Sequence, residues 1–378
     1  LTIIPNKKLL FVVSGSKFFL SHRLALAQAA LAAGYEVHAA TPLSQLNQRI
    51  IDAGLIYHPI KLERGGKNPF KEMITIFSLW RLYRRVRPDI IHQVTVKPIL
   101  YGGIAARFAK VPATVNAFTG LGFMYTNQSL GTRCLRRIMQ WGYKFSFRHK
   151  NSRVIFQNSD DKNQFINSKL LKPSQCVLIR GSGVSMSTFM PSDESKDDIL
   201  VVLAARMLWD KGIGEFVEAA RFLKNKKITA RFALVGGLDE SNPTAISEKQ
   251  LQHWVNEGIV EWWGERSDMP AIMQKAHIVC LPSYREGMPR VLVEAAASGR
   301  PIITTDVPGC RDIVQPEING LLVPAKNSMA LAAAMEKLII NPELRRMLGQ
   351  KGRELVKDEY ALETVIQQTL TIYDLLIT

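Results

Sequence analysis

Residues 284–300 read YREGMPRVLVEAAASGR. The stretch holds two glutamates, Glu286 and Glu294, with seven residues between them. The run before it, His277–Pro282 (HIVCLP), is short, apolar and β-branched, which predicts a buried strand. Arg290–Ser298 has helical spacing, Pro289 suits a first helical position, and Gly299 suits the stop. The order is therefore strand, loop, short helix. Glu286 falls in the loop ahead of the helix, and Glu294 lies inside it. A carboxylate inside a partly apolar helix is either a satisfied core group or a ligand for a diol. A carboxylate ahead of a helix start is either a cap or shares the opening with a ligand, and the amides of that first turn suit a phosphate.

The same alternation extends in both directions. Leu9–Val13 reads as a buried strand, Ser14-Gly15-Ser16 as a tight turn, Ser21–Ala33 as a helix stopped by Gly34, and Glu36–Ala40 as a second strand. This βαβ opening argues for a parallel sheet. The small residues at its first turn allow close approach of a ligand, but the segment is not GxGxxG, so a dinucleotide site is not supported. A helix Phe70–Arg87 stopped by Pro88, a strand Asp89–Gln93, a helix Ile99–Phe108 and a strand within Pro112–Phe118 follow. His92, at a strand end, either reaches a cleft or is a buried, hydrogen-bonded histidine. Thr119-Gly120-Leu121-Gly122 reads as a loop at the carboxyl edge of the sheet, where open α/β folds bind ligands. Strands over Arg153–Asn158 and Cys176–Arg180 precede a polar run, Ser192–Asp198 (SDESKDD), read as a linker. Beyond it, Ile199–Ala205 is a strand with Arg206 at its end, and Lys211-Gly212 leads into the helix Glu215–Leu223. Arg231–Gly237, Gly264-Glu265-Arg266, Pro301–Thr304 and Asn319–Pro324 repeat the strand-and-turn theme. Helices over Met329–Ile339, Pro342–Val356 and Leu362–Leu376 close the chain.

The chain has 378 residues, enough for two domains with separate cores. At 47% hydrophobic residues it reads as globular, and no apolar stretch is long and clean enough to span a bilayer. Four widely spaced cysteines with no CxxC are expected to be reduced, buried thiols of a cytoplasmic protein. The net charge of +16 is unevenly placed, because no Asp or Glu occurs from Ile90 to Ser159. Lys97, Arg133, Arg136, Arg137, Lys144 and further bases stand in that window, which suits phosphates, nucleic acid or an anionic membrane. Within it, Leu135, Ile138, Met139, Trp141 and Phe145 approximate a helical apolar stripe with basic residues between. Such a helix either lies on an anionic membrane or packs on its own domain.

The E-G-x-P-x-x-x-x-E pattern of Glu286–Glu294 resembles the motif of retaining nucleotide-sugar glycosyltransferases of family 4, and the likeness extends over nearly the whole chain. Gly181-Ser182-Gly183-Val184 with Phe189-Met190-Pro191 resembles a further segment of that family, with Ser185 where an Asp is usual. The resemblance implies an α/β fold of two facing Rossmann-like domains (GT-B) with the nucleotide sugar in the cleft. It implies an acceptor and membrane domain over 1–191, a donor domain over 192–360, and a C-terminal helix over 361–378 that crosses back to the first. It places Glu286 on the donor sugar, Glu294 on the ribose diol, and Gly287, Met288 and Arg290 near sugar and phosphate. Arg206 and Lys211 face the diphosphate, Glu265 and Arg266 the base, and Gly15 the diphosphate or acceptor. The histidine many members carry after the strand over 112–118 is replaced here by Phe118-Thr119-Gly120. That departure is similar to the branch that extends polyprenyl-diphosphate-linked sugars, and Thr119 and Gly120 join the basic residues as acceptor-side candidates.

Breaking a nucleotide–sugar bond leaves negative charge on the β-phosphate, and either a divalent metal or fixed cations can stabilise it. The chain has no Asp-x-Asp, so Arg206, Lys211 and helix-terminal amides are the expected stabilisers, with no metal and no cofactor beyond the donor. The expected activity is transfer of a hexose or N-acetylhexosamine, most simply from a UDP-sugar, to a lipid-diphosphate-linked saccharide at the inner face of the cell membrane. A nucleotide-sugar epimerase of the same architecture is the alternative. A nucleic-acid-binding protein is a minor one, lacking a reading helix or aromatic RNA-binding strands.

Overall fold

A computed structural model describes residues 7–62, 68–120, 130–195, 197–240 and 242–377. The chain divides into two units. One comprises residues 1–182 with 365–378, and the other comprises 183–364.

The first unit is built on seven parallel strands, β1 (Lys8–Val13), β2 (Glu36–Thr41), β3 (Ile56–Pro59), β4 (Ile90–Val94), β5 (Ala113–Ala117), β6 (Ser152–Phe156) and β7 (Cys176–Leu178). Their order is β3-β2-β1-β4-β5-β6-β7. Strands β1, β4 and β5 are buried almost throughout, because helices cover both faces of a parallel sheet. β3 is short, exposed at both ends and closed by Pro59, a form that blunts an edge against further pairing. One face packs Phe11, Phe19, Leu26, Ala30 and Ile90 together with Val365, Leu370, Ile372 and Tyr373 of the last helix, Leu362–Ile377. The other packs Leu10, Val12 and Ile91 against Leu79, Leu82 and Tyr83 of the helix Pro69–Val86.

The second unit has six parallel strands, β8 (Leu200–Ala204), β9 (Arg231–Val235), β10 (Glu261–Trp262), β11 (Ile278–Leu281), β12 (Ile302–Thr305) and β13 (Gly320–Val323), ordered β10-β9-β8-β11-β12-β13. Its two cores lie on opposite faces. Phe216, Val217, Leu223, Leu331 and Met335 cover one, and Leu292, Ala295, Ala296, Ile313 and Tyr360 cover the other. The fold is α/β with two Rossmann-like domains.

Several expectations change in detail. The predicted helix over 21–33 is two helices, Ser16–His22 and Leu24–Ala32, broken at the buried Arg23. β3 and the helix Asn47–Asp52 were not read from the sequence, being short and weakly patterned. The division between units falls after Ser182, ahead of the expected boundary at 191. Phe189 packs in the second core, and Val184 bridges to Ala361. Gly183 has φ +77, and a Cβ there would lie 2.6 Å from Leu362 Cα, so a glycine is needed where these segments meet. The run read as a linker is anchored rather than free. Ser192 accepts a hydrogen bond from Arg300, Ser195 O meets His277 Nε2 at 3.0 Å, and Glu194 makes a two-point pair with Arg345 at 2.8 and 2.7 Å. Arg345 is almost wholly buried, which is why an acidic residue is held in a stretch that otherwise looks like a tether.

Candidate functional site

In the second sheet the chain leaves β8 toward β9 and leaves β11 toward β12, while β8 and β11 are themselves neighbours. The connections diverge above that pair, which opens a crevice at the carboxyl ends of the two strands. Lys211 comes from the β8 side, at the end of a short 3-10 turn (Trp209–Lys211), and Glu286 comes from the β11 side. Lys211 Nζ donates to Glu286 Oε1 at 2.5 Å, and the two side chains are only 17% and 13% exposed. The loops can approach because Gly212 stands at φ +72. A Cβ there would sit 2.0 Å from Pro282 O.

The surroundings fix this pair. Asp210 O accepts from Tyr284 N at 2.9 Å and from Ser283 Oγ at 3.1 Å, while Thr244 Oγ1 donates to Asp210 Oδ1 at 2.6 Å. Tyr284 Oη donates to Glu215 Oε1 at 2.6 Å, and burial together with that carboxylate holds the phenol above its ordinary range. Lys326 Nζ stands 4.8 Å from the Tyr284 ring centre. On the far side, Glu286 N donates to Pro308 O at 3.3 Å, and Thr305 Oγ1 donates to Ser283 O. Gly309 has φ +82, and a Cβ there would lie 2.6 Å from Gly287 O and 2.7 Å from Glu286 O. Behind it Cys310 is fully buried, and burial with the nearby Glu286 charge pushes its thiol up to about 12. Pro308, Gly309 and Cys310 thus form a wall against which the Glu286 loop rests.

The helix Arg290–Ala297 starts one residue later than expected. Pro289 is its N-cap, at φ −72 and ψ 104, and no side chain caps this end. Glu294 is 7% exposed, and its Oε1 pairs with Arg290 Nε at 2.7 Å. Burial raises its carboxyl above the ordinary value and the Arg290 charge opposes the rise. Gly287 is buried, and Met288 is half-buried against the core.

The expected donor-side residues are not all brought together. Arg206 is exposed and pairs with Asp239 beyond β9, rather than joining Lys211. Glu265 and Arg266 lie beyond β10, near the end of the β9 turn, where a Cβ on Gly237 would be 3.3 Å from Glu265 Cβ. Arg266 makes a two-point pair with Asp268 at 2.8 and 2.6 Å, and that hydrogen bonding lowers the Asp268 carboxyl to about 2. Arg266 and Asp268 also line a recess of about 250 Å³ with Trp263 and Lys275. Among the described residues no group of three or more His, Cys, Asp and Glu could hold a metal ion.

The first unit has its own point of divergence, between β1 and β4. Ser14 and Gly15 follow β1, with Gly15 in extended backbone as the N-cap of the next helix. Thr95 follows β4 and donates through Oγ1 to Ser14 Oγ at 3.0 Å. Thr95 holds φ +75, a conformation a β-branched residue rarely adopts and one that tends to mark functional turns. Thr119 and Gly120 stand half-buried beyond β5, Gly120 at φ +120, while Leu121 and Gly122 lie outside the described residues. His92 is a core residue, its Nδ1 2.5 Å from Tyr373 Oη. Lys97 is not a free surface cation, because its Nζ pairs with Glu72 Oε1 at 2.5 Å. Arg137 and Lys144 are exposed on the helix Leu130–Phe147. Arg133 and Arg136 belong to the same helix, and their side chains lie outside the described residues. Cys176, Cys280 and Cys310 are free and buried.

Sequence reasoning passed over Asp210, Thr244, Lys326, Thr95 and the Pro308–Cys310 wall. None stands in a motif; each is brought to its place by the parallel topology. Tyr284 lay inside the quoted stretch, and its position next to the strand end was the available signal.

Two family models match the chain, glycosyl transferases group 1 over residues 187–355 and glycosyl transferase 4-like over residues 8–158. A Campylobacter jejuni relative, N,N'-diacetylbacillosaminyl-diphospho-undecaprenol alpha-1,3-N-acetylgalactosaminyltransferase, is 31% identical over 352 residues, covering 90% of this chain and 91% of the relative. An Escherichia coli relative, UDP-Gal:alpha-D-GlcNAc-diphosphoundecaprenol alpha-1,3-galactosyltransferase, is 27% identical over 67% of each chain. Among solved structures, sucrose-phosphate synthase of Thermosynechococcus elongatus superposes with a TM-score of 0.80 at 20% identity, over 98% of this chain and 99% of that one. Anabaena HepE in complex with UDP-glucose gives 0.75 at 18% identity, over 97% and 99%. These structural neighbours share the GT-B fold. The chain belongs to the glycosyl transferases group 1 family and is a glycosyltransferase. Neither relative supports the epimerase alternative.

Proposed function

We propose, from the premise of that family membership, that this glycosyltransferase moves a hexose or N-acetylhexosamine from a UDP-sugar to a polyprenyl-diphosphate-linked saccharide, with retention of anomeric configuration. The observation that carries the catalytic part is the half-buried Lys211–Glu286 pair at the divergence point of the second sheet. Departure of the nucleotide concentrates negative charge on the β-phosphate oxygens and leaves positive charge at the anomeric carbon. A lysine cation in a site of low solvent access stabilises the first without reorganising at the moment of reaction. Glu286, already poised as an acceptor, takes hydrogen bonds from sugar hydroxyls. Glu294, buried within the following helix, takes the ribose diol, with Arg290 as its counter-ion. Gly287, Met288, Glu265 and Arg266 contact the donor from the second unit, Gly15 in the first unit serves the diphosphate or the acceptor, and Arg206 reaches the diphosphate by exchanging Asp239 for a phosphate oxygen. No metal is required.

The acceptor assignment rests on the two relatives, whose names both specify diphospho-undecaprenol-linked substrates. The acid-free window Ile90–Ser159 supports it, as do Thr119 and Gly120 at a strand end. Arg133, Arg136, Arg137 and Lys144 then meet an anionic membrane surface from the inner face of the cell membrane, with the chain held peripherally. Among the described residues no helix is long and apolar enough to cross a membrane.

The test is turnover across UDP-, GDP- and ADP-sugars, with and without a lipid-diphosphate-sugar acceptor, in the native chain and in Glu286→Ala. Transfer from one donor only when acceptor is present, and lost in the variant, is the expected result. Conversion of the donor with no acceptor present would overturn the proposed transfer.

A further inference from the structure

The helix Pro69–Val86 has two apolar faces. Thr75, Leu79, Leu82, Tyr83 and Val86 are buried against the first sheet. Phe70, Met73, Ile74 and Phe77 are 76%, 66%, 57% and 59% exposed. They stand at i, i+3, i+4 and i+7, so they form one continuous stripe, and at about 100° per residue it points away from the buried face. A globular protein has no packing reason to set four large apolar side chains in a row on its outside, and such patches mark interaction surfaces. Further along the same outer face the stripe gives way to Arg81, Arg84 and Arg85, all exposed. The only acid of this helix, Glu72, is consumed by Lys97. The outer face is therefore apolar over its first two turns and cationic over the next.

The neighbouring helices continue the theme. The helix Gly103–Ala109 lies against both Pro69–Val86 and Leu130–Phe147. Phe108 is 64% exposed and its ring stands 6.0 Å from that of Phe145, over which Arg107 sits at 4.6 Å. Trp141 is 79% exposed on the same helix as Phe145. Aromatic and aliphatic side chains beside exposed arginines are the composition of a surface that enters the boundary between headgroups and acyl chains.

We propose that the outer face of the helix Pro69–Val86 is a bilayer-docking element, with Phe70, Met73, Ile74 and Phe77 inserted below the headgroups and Arg81, Arg84 and Arg85 held at anionic lipid phosphates. This deepens the reading of a membrane-held acceptor and rests on it. It adds an insertion element, whereas the basic residues of Leu130–Phe147 provide electrostatic attraction only. The two contributions separate by salt, since ion pairing with headgroups is screened and burial of apolar surface is not.

The test is flotation of the full chain with vesicles of phosphatidylcholine containing phosphatidylglycerol, at low and high salt. The native chain floats at low salt and keeps a measurable fraction bound at high salt. Phe70→Ser with Phe77→Ser lowers the partition coefficient at least tenfold and cuts the salt-resistant fraction by the same factor, with unchanged thermal unfolding. Met73→Ser with Ile74→Ser does the same. Arg81→Glu with Arg84→Glu weakens binding at low salt only. Native binding by both apolar double variants overturns this inference and leaves the membrane-held acceptor standing. Failure of the native chain to bind any vesicle, while it still uses a detergent-solubilised lipid acceptor, overturns the membrane reading and this inference with it. Self-association lost in the Ser variants with vesicle binding intact assigns the face to a second copy, and overturns it too.

Discussion

Gly309→Ala tests whether the wall behind the Glu286 loop positions the site. At φ +82 an alanine incurs about 1 kcal/mol of backbone strain from the left-handed conformation alone. The larger effect is contact. The new Cβ would be 2.6 Å from Gly287 O and 2.7 Å from Glu286 O, both backbone atoms that cannot rotate away. Ordinary contact begins near 3.4 Å, so the loop has to retreat by roughly 0.8 Å. A misplacement of about 1 Å at a reacting centre costs on the order of a hundredfold, so kcat is expected to fall by roughly 30- to 100-fold. Stability is expected to fall by about 1–3 kcal/mol, because the strain is confined to this turn and the loop facing it. Steady-state transfer kinetics beside urea unfolding separate the two effects. A folded Gly309→Ala enzyme with kcat within threefold of native would show that the wall does not seat Glu286.

Lys211→Ala removes the half-buried cation proposed for the leaving phosphate and is expected to cost about 3 kcal/mol of transition-state stabilisation, roughly a hundredfold in kcat. An equal rise in KM with unchanged kcat would assign Lys211 to ground-state binding instead. Transfer is expected to change less than twofold in EDTA, and loss of activity restored by Mg²⁺ would refute the metal-independent scheme. Glu194→Gln leaves the Arg345 guanidinium buried without its charge partner and should destabilise the second unit by about 3 kcal/mol in urea at pH 7. Burial pushes the Glu194 carboxyl up, but Arg345, with His277 and Arg300 behind it, outweighs burial and holds it below 4.5. A carboxyl depressed in the folded state stabilises above its unfolded value and ceases to do so as pH falls through the folded one. The stability difference between native and variant should therefore shrink below pH 4.5, and a difference that grew with acid would contradict the pairing.

Much of this molecule was legible in local pattern. Buried parallel strands write themselves as short apolar runs such as Leu9–Val13 and Leu200–Ala204, and the strand–loop–helix around Glu286 and Glu294 was readable to within a residue or two. What escaped depended on partners distant in sequence. Arg206 was read toward the diphosphate from the family resemblance, and its pairing with Asp239, beyond the neighbouring strand, had no sign in the sequence. Lys97 looked like one basic residue among many, and only the packing of two helices reveals Glu72 beside it. Ser192–Glu194–Ser195 has the composition of a tether, but three buried bases, Arg300, Arg345 and His277, draw it onto the second unit. The strain at Thr95 has no sequence signature, because threonine is not a residue chosen for positive φ.

The last helix carries a consequence for how the chain is made. Val365, Leu370, Ile372, Tyr373 and Leu376 complete a core whose other members, among them Phe11, Phe19 and Ile90, leave the ribosome hundreds of residues earlier. Domains emerging from a ribosome generally fold in order from the amino end. Here the unit begun first is finished last, since it waits with an apolar face uncovered until the helix Leu362–Ile377 has emerged. The second unit, contiguous over 183–364, has all its parts before then. Nascent chains stalled just short of the final helix should thus carry a complete second unit behind an incomplete first one, which makes the amino-terminal half the natural client of a chaperone during synthesis.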